Sequence, residues 1–469
     1  MDIEQPSNAF TTAKAPAIAH SRGIPDFSRP GLHETPPHNA FSIIEPPPDL
    51  SSFTVPNATT NNHLHSSEET FPDGGLQSWI AIFGSFFLLM ASYGLMNSLG
   101  VLQNYFATHQ LSDYSASSVG WIPGLFVFVG LSLGVQIGPL FDRYGPTGIT
   151  IAGTCCYVVG LILLAECKQY WHFVLAFGIL AGSGAALLST VAMGTVPHWF
   201  QRRVGLAMGI AMAGSGLGGV IFPWVLRLAF PRFGYKWGTR LLALLVMVMC
   251  GLGVFMIKTR LPRGVSKSGI NLRCFRDSRF MWLTLGTFSL ELEVFAGLGL
   301  YPTYVVMQGY STNTSIILLS ILNVFSCIGR LFAGAIADKY GRLNTQTVLV
   351  AFAALVVFVV WLPFGNTLAG LYMFSILFGL ASGSFLSLAP VCIGQISKAS
   401  EIGGRFGTCY SIVSIATLIC IPIGGEMLDK VGKQAMVAYL GCVLVLALSM
   451  FLMARWACLN YRWRWKAKI

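Results

Sequence analysis

The chain has 469 residues, of which 54% are hydrophobic and only 10% charged, against about 25% charged in ordinary soluble domains. That balance excludes a water-soluble globule, and recurring apolar runs of about 20 residues make lipid-crossing helices the unit of architecture. The formal charge of +11 is uneven: up to Gly75 there are nine acids against Lys14, Arg22 and Arg29, so the basic excess lies wholly beyond them. In so apolar a chain such an excess marks loops beside anionic lipid, and no nucleic-acid partner is expected.

Residues 1–72 are rich in Pro, Ser, Thr, Asn and acid, and are expected to be a disordered cytoplasmic tail. Met1 to Phe10 carry acid where a signal peptide has a basic and then an apolar stretch, so the first membrane helix is the expected targeting signal. Apolar runs follow at 79–105, 117–140, 148–167, 170–195, 204–228 and 238–257, then at 280–305, 314–337, 346–364, 367–394, 405–427 and 434–455. The expectation is an all-α integral membrane protein: twelve helices in two pseudo-symmetric halves, 73–257 and 280–455. A basic linker at 258–279 joins the halves, and a basic aromatic tail at 456–469 ends the chain.

The linker holds seven basic residues against Asp277 alone, which places it in the cytoplasm. Six helices on each side then put both termini inside, with nineteen basic residues in inner segments and seven in outer loops. The plasma membrane is the expected location, with the vacuole or another internal membrane as the alternative.

Eleven cysteines lie mostly inside apolar runs, and neither they nor the eight histidines show metal-ligand or disulfide spacing. No metal and no cofactor is expected. HExxH and GxxxxGK[ST] strings are absent from the sequence, which argues against a zinc-peptidase type of enzyme and against an ATP-driven pump.

One string recurs. Between the second and third runs stand Gly138, Asp142, Arg143, Tyr144 and Gly145; between the eighth and ninth stand Gly334, Asp338, Lys339, Tyr340, Gly341 and Arg342. The constant offset of 196 residues argues for duplication. Mechanically, Gly138 or Gly334 lets two helices approach, and Asp142 or Asp338 accepts hydrogen bonds at a neighbouring helix N-terminus. Gly145 or Gly341 then turns the chain. Such a loop is a latch on the cytoplasmic side; the bland alternative is an ordinary polar loop.

These residues resemble the signature loop of the major facilitator superfamily, although Pro146 and Thr147 stand where the family's first copy is usually basic. Pro72-Asp73-Gly74-Gly75, Trp199 to Arg203 and the Gly205 to Gly216 segment resemble the monocarboxylate porter family. Leu95 to Val101 and Ser382 to Pro390 resemble its fungal members. The resemblance implies a secondary transporter that carries a small organic solute by alternating access.

Ionisable residues inside lipid are costly and are functional candidates by default. They are Glu291 and Glu293 in the seventh run and Arg330 in the eighth. The two glutamates lie about 200° apart on a helix, so only one faces a given cavity. Its alternative role is merely to neutralise Arg330. By resemblance, Arg330 matches an arginine that binds the substrate carboxylate in monocarboxylate porters. Ser326 and Asn97, however, stand where the animal members carry an acid and a lysine. Tyr93 and Asn97 are further candidates for the solute site, with helix–helix hydrogen bonding as the bland reading. Aromatics such as Phe86, Phe87, Phe288 and Phe295 are expected to face lipid. The expected cargo is an organic acid or a secondary metabolite, with efflux favoured. Uptake of a monocarboxylate or vitamin-like solute, or a sensor without transport, are the alternatives, and coupling to protons is open.

Overall fold

In lipid the backbone amides of an apolar run find partners only within their own segment, so each run closes as an α-helix. A computed structural model describes residues 73–260, 272–397, 402–462, 464 and 467–468. The tail expected over 1–72 and much of the basic linker lie outside the described residues. Among the described residues there are helices and no strands.

The first span, α1, is Leu76–Thr108, interrupted between Leu76–Met96 and Leu99–Thr108. The second, α2, joins Ala116–Ser132 to Gly134–Tyr144 across a bend of 40°. Then come α3, Pro146–Leu164, and α4, Tyr170–Trp199. The next helical element, Val204–Met256, has 53 residues; a straight helix of that length would run about 80 Å, far beyond a hydrocarbon core of about 30 Å. Gly234, at φ +73°, reverses it. Phe86 and Leu88, close together on α1, touch Gly214 and Gly253 respectively, so the element doubles back as α5 (204–233) and α6 (235–256).

The second half supplies α7, Ser278–Met307; α8, Thr312–Tyr340; α9, Arg342–Phe364; and α10, Leu368–Gln395. It ends with α11, Ile402–Glu426 continuing through Met427–Val431, and α12, Lys433–Cys458. Among the described residues this makes twelve spans in two groups of six. The loop expected between 228 and 238 is instead helical up to Gly234 and beyond it. Phe230 and Tyr235 at that reversal stack against Tyr105 of α1, which holds both helix ends in place.

Helices in lipid gain little from burying apolar surface against each other, so close packing through small residues holds them together. A β-carbon on Gly218 of α5 would lie 2.5 Å from the Met90 carbonyl oxygen and 2.7 Å from the Gly94 Cα of α1. The halves meet through several helix pairs, with α10 also packed on the 204–256 element. Between α2 and α11, Gly407 lies against Val135 and Gly124 against Leu418; between α1 and α7, Gly100 lies against Gly299; α5 packs on α8 along its length. The α2–α11 and α5–α8 pairs make contacts at both of their ends, on either side of the centre.

Gly218→Val is expected to destabilise the fold by overpacking, by about 1–3 kcal/mol, while Gly251→Ala, whose β-carbon would meet nothing within 4 Å, leaves it intact. Thermal unfolding of the purified proteins in detergent checks this, with a lowered Tm for the valine variant alone.

Candidate functional site

The centre is organised by a break in a helix and a buried arginine. α1 leaves helical geometry at Ser98, whose φ and ψ are −107° and 0°. Broken spans at mid-membrane free polar groups where a solute can reach them. Asn97, at the break, donates from Nδ2 to the Ser215 carbonyl oxygen of α5 at 3.1 Å. Arg330 of α8 donates from Nη1 to the Met212 carbonyl oxygen at 2.8 Å and to Ser215 Oγ, and from Nε to the Gly383 carbonyl oxygen of α10 at 3.2 Å. A β-carbon at residue 216 would stand 3.2 Å from Nη1, so Gly216 lets the guanidinium lie flat against α5. One side chain thus ties α5 of the first half to α8 and α10 of the second.

Arg330 was expected to be available either to Glu291 or to a solute carboxylate. Its hydrogen bonds go elsewhere, to the Met212 and Gly383 carbonyl oxygens and the Ser215 hydroxyl. Glu291 interacts electrostatically with Arg330, but neither of its carboxylate oxygens has a hydrogen-bond partner. It is buried, at 1% exposure. Tyr93 of α1 and Cys409 and Tyr410 of α11 also lie within its electrostatic reach, so it faces the space where the two halves meet. Tyr93 is buried one helical turn before Asn97 on the same face.

Glu293 points elsewhere. It shares a helix face with Gly286, seven residues earlier, which packs on Met450 and Phe451 of α12. Its carboxylate is buried without a hydrogen-bond partner too, but inside the second half rather than between the halves. Phe295 is also buried, at 3% exposure, which corrects its assignment to the lipid face; Phe86, Phe87 and Phe288 are half-buried. Ser215 and Gly383 were missed as members of this site. Their signal was present: a buried guanidinium needs acceptors, and the small residues of Gly214-Ser215-Gly216 and Ser382-Gly383 let it reach a serine hydroxyl and a main-chain carbonyl.

The second station lies at the helix ends that carry the repeated string. α5 begins after Arg203, which supplies no side-chain cap. Asp338, at the end of α8, supplies one from the other half: its Oδ1 accepts from the Gly205 amide at 3.1 Å and its Oδ2 from the Leu206 amide at 3.0 Å. Gly334 makes this possible, because any β-carbon there would overlap the Gly205 main chain. Gly341, at φ +106°, turns the chain into α9, and Arg342 reaches the Gln201 carbonyl oxygen at 3.4 Å. Lys339 lies over the Tyr340 ring at 5.3 Å.

In the first copy, Asp142 stands at the end of α2 and Gly145, at φ +81°, makes the turn; Arg143 lies over the Tyr144 ring at 5.3 Å. Gly138 departs from expectation. A β-carbon there would meet nothing within 4 Å, because the close approach of α2 to α11 comes from the glycine of the opposite helix, Gly407.

Asp73, quoted above only as a mark of resemblance, turns out to be structural. Its Oδ1 accepts from the Gln201 and Arg202 amides, both at 2.8 Å, and its own amide donates to the Trp199 carbonyl oxygen. The connection from α4 to α5 is therefore held by Asp73 on one side and by Asp338 and Arg342 on the other. Asp73→Ala is expected to weaken local order there by about 1 kcal/mol, raising the opened population about fivefold. Limited trypsin cleavage after Arg202 and Arg203 in the purified protein measures this, and an unchanged rate would contradict it.

Known proteins resemble this chain. Residues 79–403 match the family model of the Major Facilitator Superfamily. The chain is 34% identical to the riboflavin transporter MCH5 of Saccharomyces cerevisiae, over 91% of this chain and 87% of that one. It is likewise 34% identical to the aspyridones efflux protein apdF of Emericella nidulans, over 78% and 74%, and to a fujikurins efflux protein of Gibberella fujikuroi, over 84% and 86%. The crystal structure of the human organic anion transporter MFSD10 (TETRAN) superposes with a TM-score of 0.61 at 13% identity, covering 80% of this chain and 98% of that one, a likeness of fold. The two repeated loops, the twelve spans and these relatives together make the chain a member of the major facilitator superfamily, a multi-pass transporter of small solutes.

Proposed function

We propose that the solute is held between the halves, beside Asn97, Tyr93, Glu291 and Arg330, and that access alternates by opening and closing the Asp338 cap on α5. The observation that carries this is that one carboxylate of the second half satisfies two helix-terminal amides of the first. Hydrogen bonds to a charged acceptor are worth about 1.5–3 kcal/mol each. That is strong enough to hold one state and weak enough to break within a transport cycle.

The basic residues of inner segments support placing this cap, and both termini, on the cytoplasmic side of the membrane, the plasma membrane in our reading. Efflux of a fungal secondary metabolite is the first reading of direction, since two of the relatives named above are efflux proteins. Uptake of a vitamin-like solute is the second, supported by the similarity to a riboflavin transporter over 91% of this chain. A buried carboxyl that meets each side in turn is also where a proton can be carried, so coupling to protons belongs to this proposal at Glu291.

Metabolite profiling of cells with and without the gene tests transport and its direction. A solute that accumulates inside on deletion marks export; one that is depleted marks uptake. For the solute so found, Asp338→Ala is expected to slow turnover at least about tenfold, the equivalent of about 1.4 kcal/mol, with binding affinity little changed. Normal turnover would contradict the cap as a gate.

A further inference from the structure

The polar groups at the centre are unbalanced in a particular way. Arg330 spends its guanidinium on Met212, Ser215 and Gly383. Asn97 uses its donor on the Ser215 carbonyl oxygen, and that bond fixes its amide orientation, so the group left without a partner is the acceptor Oδ1. Glu291 leaves both carboxylate oxygens without a partner. Three buried oxygens from α1 and α7 thus stand unmatched around the meeting point of the halves, and with Glu291 ionised all three accept hydrogen bonds.

Leaving such groups unmatched costs roughly 1–3 kcal/mol for a neutral group and more for a charged one. A ligand that supplies their hydrogens recovers that cost, while one that lacks them does not. With Glu291 ionised, its charge and that of Arg330 offset each other, so in that form the station as a whole favours neither an anion nor a cation. The buried rings of Tyr93 and Tyr410, both within reach of Glu291, add flat apolar surface.

We propose that the site selects a neutral, flat solute bearing clustered N–H or O–H donors, with Glu291 and Asn97 as the residues that read them, and that Arg330 is a strut between the halves rather than an anchor for a carboxylate. This rests on the transport reading above and narrows its substrate class. It departs from the role that resemblance alone implies for Arg330.

The test is equilibrium exchange in proteoliposomes, which measures binding and translocation without requiring a proton gradient. The two probes are riboflavin, which is neutral and carries an imide N–H and a chain of hydroxyls, and benzoate, an aromatic anion without donors. The expected result is exchange of riboflavin at least tenfold faster than benzoate. Glu291→Ala should lower riboflavin exchange at least tenfold, and Glu291→Gln, which keeps one acceptor oxygen and the side-chain shape, should lower it less. Glu293→Gln, on the α12 face, should leave it unchanged. Matching thermal unfolding curves confirm that each variant is folded.

Wild-type exchange in Glu291→Ala and Glu291→Gln would overturn the proposal, and so would preference for benzoate. Exchange of neither probe, with metabolite profiles still shifting with the gene, would overturn the donor assignment and leave transport standing. Profiles that do not shift would overturn transport itself.

Discussion

The rest of the structure depends on a helix that cannot cap itself. α5 opens on Arg203, which offers no acceptor to the first-turn amides, and its partial positive charge falls at the junction of the two halves. Asp338 satisfies two of those amides from the far side of that junction. The bond closes the motif end only while α5 and α8 stay together. Gly205 and Gly334, pressed main chain to main chain, set the distance at which it forms. A side chain on either glycine would hold the helices apart and leave both the cap and the carboxylate unpaired.

Arg330 repeats this logic at the centre. Its bonds to α5 are charge-assisted and buried, so separating the halves there exposes part of a guanidinium, the Met212 carbonyl and the Ser215 hydroxyl at once. The cap and the strut lie on the same helix pair, eight residues apart on α8. In the proposed cycle, opening at the motif end loads the strut in turn. A solute that engages Glu291 and Asn97 changes the polar balance of the same centre, which gives it a route to bias that opening.

Much of this was legible in the amino-acid order. Apolar runs gave twelve spans, and the offset between Asp142 and Asp338 gave the two halves, because lipid forces every span into a helix and leaves little choice of architecture. The turn glycines Gly145 and Gly341 were legible for the same reason, since a positive φ is costly for any other residue. The partners of Arg330 were less so. A buried arginine announces that it needs acceptors but not which ones, and main-chain carbonyls leave no mark of their own in a sequence. Gly138 misled because a repeat conserves position, whereas close packing needs only one glycine per contact, and on α2 and α11 that glycine is Gly407. Asp73 stood unrecognised because its partners are backbone amides 128 and 129 residues away.

The most direct measurement is the distance between the two sides of the cap. Spin labels at Gln201 and Lys339, both exposed, in protein held in lipid nanodiscs report it by pulsed electron resonance. The account predicts a short distance in the resting protein and a second, longer population that grows in Asp338→Asn. A single distance, unaltered by that substitution, would contradict the claim that this contact is the gate.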